Sequence, residues 1–394
     1  MTSPAQQNAP STGVPLLDLS RQYAQIRDEV LAAVERVCAS QHFILGDEVA
    51  ALEGEIAKLT GASAAVGCAS GTDALWLALL GAGIGPGDAV LTTPFSFFAS
   101  ASAIVRAGAR PVFADIDPLT LNLDPAKVEE RLRGGVSGIR ALLPVHLYGQ
   151  CADMDALDRI AREFKLHMIE DAAQAIGAEW RGQKAGSFGV TAAFSFYPTK
   201  NLSAYGDAGL VTAGNADAAA HMRRLRNHGS PRRYLHEEMG WNCRMDAIQA
   251  AILRVKLPHI EKWNRQRRER ADSYNRLLCE SGLCKESRTE PGAASPITLP
   301  QVSCNAGHVF HQYVVRAHRR DQLREFLKDR SIGSEVYYPL PLHLQPALAH
   351  LGYGEGDLPE AERAAKEVLA LPMFPELREE EQRQVVNAIA EFYA

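Results

Sequence analysis

The sequence lacks the features that mark membrane and secreted proteins. No apolar run approaches the roughly 20 residues that a membrane-spanning helix needs. The polar, Pro- and Ser-rich beginning MTSPAQQNAPSTG has neither the basic start nor the apolar stretch of a secretory signal. Residues 1–13 are therefore predicted to be a short disordered lead. The chain is predicted to be a cytoplasmic protein that binds no membrane.

Clustered cysteines and an excess of positive charge are also absent. The 394 residues include seven cysteines, and none belongs to a Cys-x-x-Cys pair with histidines at metal-ligand spacing, so we expect no metal site. Their odd number and wide scatter favour reduced thiols over a disulfide framework. With 42 Lys and Arg against 47 Asp and Glu, the net charge of −5 argues against a general nucleic-acid binder.

Short apolar runs alternate with longer amphipathic stretches from about Val14 to about Gly229. Strands are predicted at AVLTT, PVFADID, ALLPVHLYG and LHMIEDAA, and helices at FFASASAIVRAG, DPAKVEERLRG and DMDALDRIAREFK. This alternation is typical of α/β layering around a mostly parallel sheet. It predicts a large domain over residues 14–250.

The pattern changes after Gly240. A long helical stretch, DAIQAAILRVKLPHIEKWNRQRRERADSYNRLL, precedes the loop SRTEPGAASPITLP, the strand HVFHQYVVRA, the helix DQLREFLKDRS, the Pro-broken segment YYPLPLHLQP and a final helix. These elements predict a smaller α+β domain over residues 251–394, which is an ordinary domain size.

In α/β sheets, ligands bind at the carboxyl ends of the strands, so polar residues there are candidates for the site. The segment ASGTDALWLALLGAG opens a helix with Ser70, Gly71 and Thr72. Its glycine admits a ligand close to the backbone, and the free N–H groups of a helix start favour an anion. An ordinary helix cap is the alternative interpretation.

The segment EDAAQAIGA carries an acid, Asp171, and an amide, Gln174, at the end of the strand predicted at LHMIEDAA. Asp171 leaves a buried strand end, and burying a carboxylate is costly unless a cation or hydrogen-bond donor meets it. A protonated pyridine nitrogen is such a partner, and Gln174 is placed to lie beside such a ring. A helix cap is again the alternative.

The segment AAFSFYPTKNLSAYGDAG carries Ser195 and, five residues on, Lys200. A lysine in a Gly- and Pro-constrained loop near a strand end is suited to forming an imine, because desolvation lowers the pKa of its amine. The same amine can then move a proton. A solvated surface lysine is the alternative.

The order and spacing of these motifs carry more weight than any one of them. With VHLYGQCADMDAL, RNHGS, NCRMDAIQAAILRVKLPHI and YYPLPLHLQPA, the chain resembles the DegT/DnrJ/EryC1/StrS family of nucleotide-sugar aminotransferases over nearly its whole length. The resemblance implies the fold of the aspartate aminotransferase type, fold type I, with pyridoxal 5'-phosphate as cofactor.

The resemblance also implies residue roles. Lys200 would hold the cofactor as an imine and shuttle the proton, and Asp171 would pair with the pyridine nitrogen. The other implied cofactor contacts are Gln174 at the ring hydroxyl, Phe97 stacked on the ring, Gly71, Thr72 and Ser195 at the phosphate, and Asn242 reaching the phosphate from a second subunit. Asn242 thereby implies a homodimer with a composite active site.

Two positions depart from the family pattern. Ala208 stands in GDAG where a glycine is usual, and Phe374 stands in PMFP where a histidine is common. The first departure predicts a slightly different local backbone, and the second leaves the substrate contacts at that point open.

The implied reaction moves an amino group from glutamate to a keto-sugar linked to a nucleotide, with the C3 keto position favoured over C4 by the GDxG loop. Arginines around RNHGSPRRY could meet the diphosphate of such a substrate. Motif position makes Arg244, Tyr338 and His343 further candidates for substrate contacts.

Three alternatives remain open. A non-catalytic regulator could keep the fold, although Asp171, Ser195 and Lys200 are intact. A pyridoxal-phosphate-dependent sugar dehydratase is the second alternative, but such relatives carry histidine where this chain has Lys200. A thiol enzyme using Cys68 or Cys243 is the third, and neither cysteine has a histidine nearby in sequence.

Overall fold

A computed structural model describes residues 13–284 and 295–394. The predicted disordered lead lies outside these residues except for Gly13, and so does most of the loop SRTEPGAASPITLP. Within the described residues, no helix is both long and apolar enough to span a membrane.

Twelve α-helices occur in the described residues. They are α1 Leu19–Ser40, α2 Asp47–Thr60, α3 Gly71–Gly81, α4 Ala99–Arg106, α5 Pro125–Arg133, α6 Met154–Glu163, α7 Ala216–Leu225, α8 Ala247–Lys256, α9 Ile260–Glu280, α10 Arg320–Asp329, α11 Pro359–Glu367 and α12 Glu379–Tyr393.

Thirteen strands accompany these helices in the same described ranges. They are β1 Ala64–Cys68, β2 Ala89–Thr92, β3 Arg110–Phe113, β4 Ile139–Leu143, β5 His167–Asp171, β6 Glu179–Trp180, β7 Gln183–Lys184, β8 Thr191–Ser195, β9 Gly209–Ala213, β10 Ile297–Thr298, β11 Ala306–Gly307, β12 Tyr313–Ala317 and β13 Val368–Leu371.

A seven-stranded mixed sheet lies at the centre of the fold. Its strand order is β1-β9-β8-β5-β4-β2-β3, and β9 runs antiparallel to both of its neighbours while the remaining pairs are parallel. Apolar side chains cover both faces, with Met168 packed on one side and Ile169 on the other. Strands buried on both faces need continuous apolar runs, which is why they were visible in the sequence.

A second core surrounds the three-stranded sheet β10-β12-β13. Helix α9 joins the two cores, because its first turns place Ile260 and Trp263 in the core of the large sheet and later turns place Tyr274 in the second core. Val14 also belongs to the second core and pairs with Ile332. The division at residue 250 stays a proposal.

Some predicted elements differ from the observed ones. Pro258 falls within a short 3-10 turn at Leu257–His259 that separates α8 from α9, because proline cannot supply the N–H that a continuous helix needs. Strand β4 ends at Leu143, directly before a proline, rather than running on through ALLPVHLYG. Within HVFHQYVVRA only β12 is a strand, since Phe310 has a positive φ of 41°.

Candidate active site

Several of the predicted site residues lie at the carboxyl edge of the large sheet. Asp171 is the last residue of β5 and Ser195 is the last residue of β8, and these strands are parallel neighbours. Gly71 begins α3, shortly after β1 ends at the same edge. Lys200 follows β8 in a turn in which its N–H donates to the carbonyl of Tyr197.

Asp171 is a buried carboxylate whose hydrogen-bonding capacity is only partly used. Its Oδ2 accepts a 2.7 Å hydrogen bond from the Ser100 hydroxyl, and its Oδ1 accepts one of 3.2 Å from the Ala173 N–H. Burial raises the pKa of Asp171, while these donors and the Lys200 amine act to lower it. Within the described residues, no ion pair with an Arg, Lys or His engages this carboxylate, so it can still receive a cationic ligand group.

Lys200 has the electrostatic environment that the sequence predicts. Desolvation lowers the pKa of its amine to about 8, and the Asp171 carboxylate acts in the opposite direction. About a tenth of such an amine is neutral at pH 7, far more than for an ordinary lysine, and the neutral amine is the nucleophile and the proton acceptor.

The turn before α3 approaches the end of β8 very closely. A methyl group on Gly71 would lie 2.5 Å from Cβ and 2.8 Å from Oγ of Ser195. Ser70 caps the helix by accepting a 3.1 Å hydrogen bond from the Asp73 N–H. The Thr72 hydroxyl forms no hydrogen bond with the described part of the chain. The helix-cap interpretation is therefore confirmed for Ser70, while anion binding at this helix start stays a prediction.

Gln174, Tyr338 and Phe97 lie together beside this edge. Gln174 Oε1 accepts a 2.6 Å hydrogen bond from the Tyr148 N–H, and its Nε2 donates over 3.1 Å to the Tyr338 hydroxyl. The Phe97 and Tyr338 ring centroids are 6.4 Å apart. Phe97 is 60% exposed, so its ring face is open to a flat ligand.

These groups fit a pyridine ring with a phosphate tail. The chain supplies a buried carboxylate without an ion-pair partner, an amine of lowered pKa, an exposed aromatic face and a helix start that glycine leaves open. Each corresponds to one part of pyridoxal phosphate: the ring nitrogen, the aldehyde carbon, the ring face and the phosphate.

The residues that are predicted to contact the substrate or a second subunit do not form a single cluster. Asn242 is exposed and pairs through its backbone with Asn227. Arg244 donates over 3.2 Å to the Asn227 side chain and lies opposite Cys68, close to the helix start. Both positions are compatible with their predicted roles, which remain predictions.

His343 is not brought to the other predicted residues. Its side chain is fully buried, and Nε2 lies 3.1 Å from Glu362, which also accepts hydrogen bonds from the Gly356 N–H. No hydrogen bond or ring contact in the described ranges joins His343 to another predicted site residue. A substrate contact by His343 would need this loop to rearrange.

The two departures from the family pattern lie in buried positions. Ala208 is buried without a positive φ, and its carbonyl accepts a 2.9 Å hydrogen bond from the Phe196 N–H, so the backbone there does not require glycine. Phe374 is fully buried in the second core beneath the Arg21 guanidinium, 5.2 Å from its centroid. Phe374 is a packing residue, and no substrate can reach it in this conformation.

The two cysteines considered as nucleophiles are buried. Burial raises the pKa of Cys68 well above its ordinary value and that of Cys243 to about 11. A thiol enzyme needs a thiolate near neutral pH, so these environments argue against that alternative.

Sequence reasoning missed two residues next to Asp171. Ser100, its side-chain donor, lies 71 residues away in the chain, within a run of small residues that carries no signal. Glu170 had a usable signal, because a carboxylate inside the apolar run HMIED needs buried partners.

Comparisons with known proteins identify the family of this chain. A model of the DegT/DnrJ/EryC1/StrS aminotransferase family matches residues 24–390. The chain is 51% identical over 380 residues to a pleiotropic regulatory protein of Geobacillus stearothermophilus, covering 96% of this chain and 98% of that one. It is 42% identical over 379 residues to the UDP-N-acetyl-3-dehydro-alpha-D-glucosamine 3-aminotransferase of Acidithiobacillus ferrooxidans, with coverages of 96% and 98%.

A solved structure gives the same result. The crystal structure of DesV from S. venezuelae in complex with a ketimine intermediate superposes with a TM-score of 0.90 at 42% identity, covering 97% of this chain and 99% of that one. This similarity confirms the predicted fold type I, and the solved relatives together with the family imply pyridoxal phosphate as cofactor. Because the family model spans almost the entire sequence, the chain belongs to the DegT/DnrJ/EryC1/StrS aminotransferase family.

Proposed function

We propose that this protein transfers an amino group from glutamate to the keto group of a nucleotide-linked sugar, at C3 in preference to C4, for the biosynthesis of aminosugars. The observation that carries the proposal is the juxtaposition of Asp171 and Lys200 at the sheet edge, beside the close approach of Gly71 to Ser195. The names of relatives, among them the UDP-linked 3-aminotransferase, support the substrate class and the C3 position.

Each residue would contribute a distinct part of the chemistry. When bound, pyridoxal phosphate supplies a carbonyl carbon that accepts the amino group and a cationic ring that stabilises negative charge on the neighbouring carbon. Asp171 would hold the positive ring nitrogen, and Gly71, Thr72 and Ser195 would hold the phosphate. Lys200 Nζ would take a proton from the α-carbon of the donor and deliver it to the carbon that was the cofactor's carbonyl carbon, and in the second half-reaction it would move a proton in the opposite direction, onto the keto carbon of the sugar.

The arginines nearest the RNHGS motif divide into two groups. Carboxylates pair with Arg223, Arg224 and Arg226, whereas no ion pair in the described residues engages Arg232 or Arg233, which are both exposed. We therefore assign the diphosphate of the substrate to Arg232 and Arg233, since paired arginines are already neutralised.

The same segment supports a homodimer. Tyr234 is 82% and Met239 80% exposed, and Trp241 is also exposed, directly before Asn242. Exposed apolar side chains next to a predicted cofactor contact fit a surface that a second copy covers. In this arrangement Asn242 would complete the site of the other subunit.

A half-reaction tests the core of the proposal. Glutamate alone should convert the absorbance of the bound cofactor from its aldehyde-derived band to that of its amine form, and Lys200→Ala should abolish the conversion. A wild-type protein that binds pyridoxal phosphate but does not respond to glutamate would exclude glutamate as donor. A protein that cannot take up the cofactor would overturn the proposal.

The acceptor is identified with matched keto-sugars. Mass spectrometry after incubation with glutamate should show amination of UDP- or dTDP-linked 3-keto sugars faster than of the corresponding 4-keto sugars. Preference for the 4-keto series would reverse the C3 assignment. Arg232→Ala with Arg233→Ala should raise KM for the nucleotide sugar but leave the glutamate half-reaction unchanged.

Mixed dimers test the composite site. Lys200→Ala and Asn242→Ala subunits, each nearly inactive alone, should regain activity when refolded together, because each mixed dimer contains one site with both native residues. Random mixing at equal concentrations predicts recovery of about a quarter of the wild-type activity. No recovery would place Asn242 and Lys200 of one subunit in the same site.

A regulatory role is the second candidate, favoured by the name of the Geobacillus relative. It predicts cofactor binding without turnover of any keto-sugar nucleotide. Measured turnover with one sugar of the panel would exclude a purely non-catalytic regulator.

A further inference from the structure

The hydroxyl groups of Ser96 and Ser100 form a hydrogen-bonded series that ends at the Asp171 carboxylate. Ser96 Oγ lies 2.9 Å from Ser100 Oγ, and Ser100 Oγ lies 2.7 Å from Asp171 Oδ2. All three residues are buried, with 4%, 1% and 4% of their surfaces exposed. Water does not compete for the hydrogen bonds of hydroxyls buried in this way.

The number of available protons fixes the direction of both hydrogen bonds. Ser100 has a single hydroxyl proton, and an ionised Asp171 can only accept. The Ser100 proton therefore points to Asp171, so the 2.9 Å contact must use the proton of Ser96. Ser96 donates to Ser100, and Ser100 donates to Asp171, which gives the hydroxyl next to the carboxylate a fixed orientation.

We propose that Ser100, oriented by Ser96, is a positioning residue that keeps Asp171 ionised and aimed at the cofactor's ring nitrogen. The inference rests on the proposed function, because that function assigns the ring nitrogen to Asp171. Ser100 lies in the first turn of α4, which is packed over the face of the sheet on which Asp171 lies.

The surroundings of Asp171 explain why such a donor is needed. Burial favours the neutral acid and raises the pKa of Asp171. The other titratable groups that act on or near it are Lys200, His146 and Tyr338. Lys200 must be neutral before its amine can accept a proton, so it does not offer Asp171 a constant positive charge, and Tyr338 is kept neutral because burial raises its pKa. Ser100 is the side-chain donor that stays in place throughout the reaction.

A purely structural role for Ser100 predicts something different. If Ser100 only satisfied a buried hydroxyl, Ser100→Ala would change stability but would not change the ionisation of Asp171. A positioning role predicts that the same variant raises the pKa of Asp171 and weakens cofactor binding about tenfold, which is the loss expected for one hydrogen bond to a charged group.

The experiment measures the titration midpoint of the Asp171 carboxyl group directly. Protein labelled at the aspartate carboxyl carbons is titrated by NMR without cofactor, and the Asp171 signal is identified by its absence in Asp171→Asn. Ser100→Ala should move the midpoint to higher pH, and Ser96→Ala should move it less in the same direction. Ser102→Ala is the matched control on the same helix and should leave the midpoint at the wild-type value.

The dissociation constant of pyridoxal phosphate is then measured for the same variants by absorbance. An Asp171 midpoint in Ser100→Ala equal to that of the wild type, or an equal shift in Ser102→Ala, would overturn the inference. Because the titration uses cofactor-free protein, this failure differs from failure of the proposed function, which would appear as a wild-type protein that does not bind the cofactor.

Discussion

Glu170 and Asp171 are consecutive carboxylates on β5, and their side chains lie on opposite faces of the same sheet. Glu170 accepts from the N–H groups of Gly186, Phe188 and Gly189 at 2.7 to 2.8 Å and from Nε2 of His146 at 3.0 Å. The Ala152 N–H donates to Nδ1 of His146, so the ring proton is on Nε2.

The two carboxylates differ in how much of their hydrogen-bonding capacity is used within the protein. An ionised carboxylate can accept about four hydrogen bonds. Glu170 accepts four within the protein, whereas Asp171 accepts two, from Ser100 and Ala173. A saturated buried carboxylate stabilises the fold, while one with open positions is available to a ligand. Burial alone therefore does not distinguish a structural acid from a functional one.

Matched amide substitutions test this comparison most strongly. Glu170→Gln should lower the free energy of unfolding by roughly 2–6 kcal/mol, because the amide NH2 of glutamine would face two of the buried donors and leave them without an acceptor. Asp171→Asn should change stability by less than about 1 kcal/mol but slow the glutamate half-reaction roughly a hundredfold to a thousandfold. Urea unfolding and stopped-flow absorbance measure the two effects. Equal loss of stability in both variants would remove the distinction.

The close approach of Gly71 to Ser195, on the Asp171 side of the sheet, gives the next largest expected effect on stability. Gly71→Ala places a methyl group against Ser195 and should cost about 1–3 kcal/mol of stability, with weaker cofactor binding. Adding Ser195→Gly should restore the melting temperature because it removes the colliding Cβ, but it should not restore cofactor affinity. Full recovery of both would argue against phosphate contacts by Ser195.

The pH dependence of imine formation at Lys200 tests the comparison further. The neutral amine forms above its pKa, so the rate of imine formation with pyridoxal phosphate should rise with pH around a midpoint of about 8. Asp171→Asn should move this midpoint to lower pH, because the Asp171 carboxylate favours the charged ammonium. Glu170 is not among the groups that act on Lys200, so a folded Glu170→Gln protein should keep the wild-type midpoint.

The smallest effect is expected at Ala208. Since its backbone has no positive φ, Ala208→Gly should reduce stability by about 0.5–1 kcal/mol through greater freedom of the unfolded chain, without changing activity. Thermal unfolding and the half-reaction rate check this. A gain in stability would mean that alanine strains this loop.

Much of the fold followed from local patterns. The apolar runs within β2 and β4 were visible because strands covered on both faces need no polar alternation. The start of α5 was also predictable: Asp124 caps it by accepting a 2.8 Å hydrogen bond from the Ala126 N–H, and Pro125 fits its first turn. The family model and the DesV structure confirm the predicted family and fold.

Other elements could not be read locally. The antiparallel pair β1 and β9 and the strand β13 have no turn or alternation that identifies them, and their existence depends on partners far away in sequence. His343 and Phe374 were treated as possible substrate-side positions because of their motifs. Both are buried, since tertiary packing rather than motif position decides which face of a segment meets solvent.

The sequence by itself determined which chemical groups are available and in what order: the turn at Ser70, Gly71 and Thr72, then Asp171 and Ser195 at the ends of strands, and Lys200 in the loop that follows. Parallel strands bring such ends to one edge, so their proximity was predictable. Only the tertiary structure decided that Glu170 is saturated, that Asp171 is not, and that Ser100 orients it. The physical reason is that hydrogen-bond capacity is filled by groups distant in sequence, whose positions depend on strand order and helix packing.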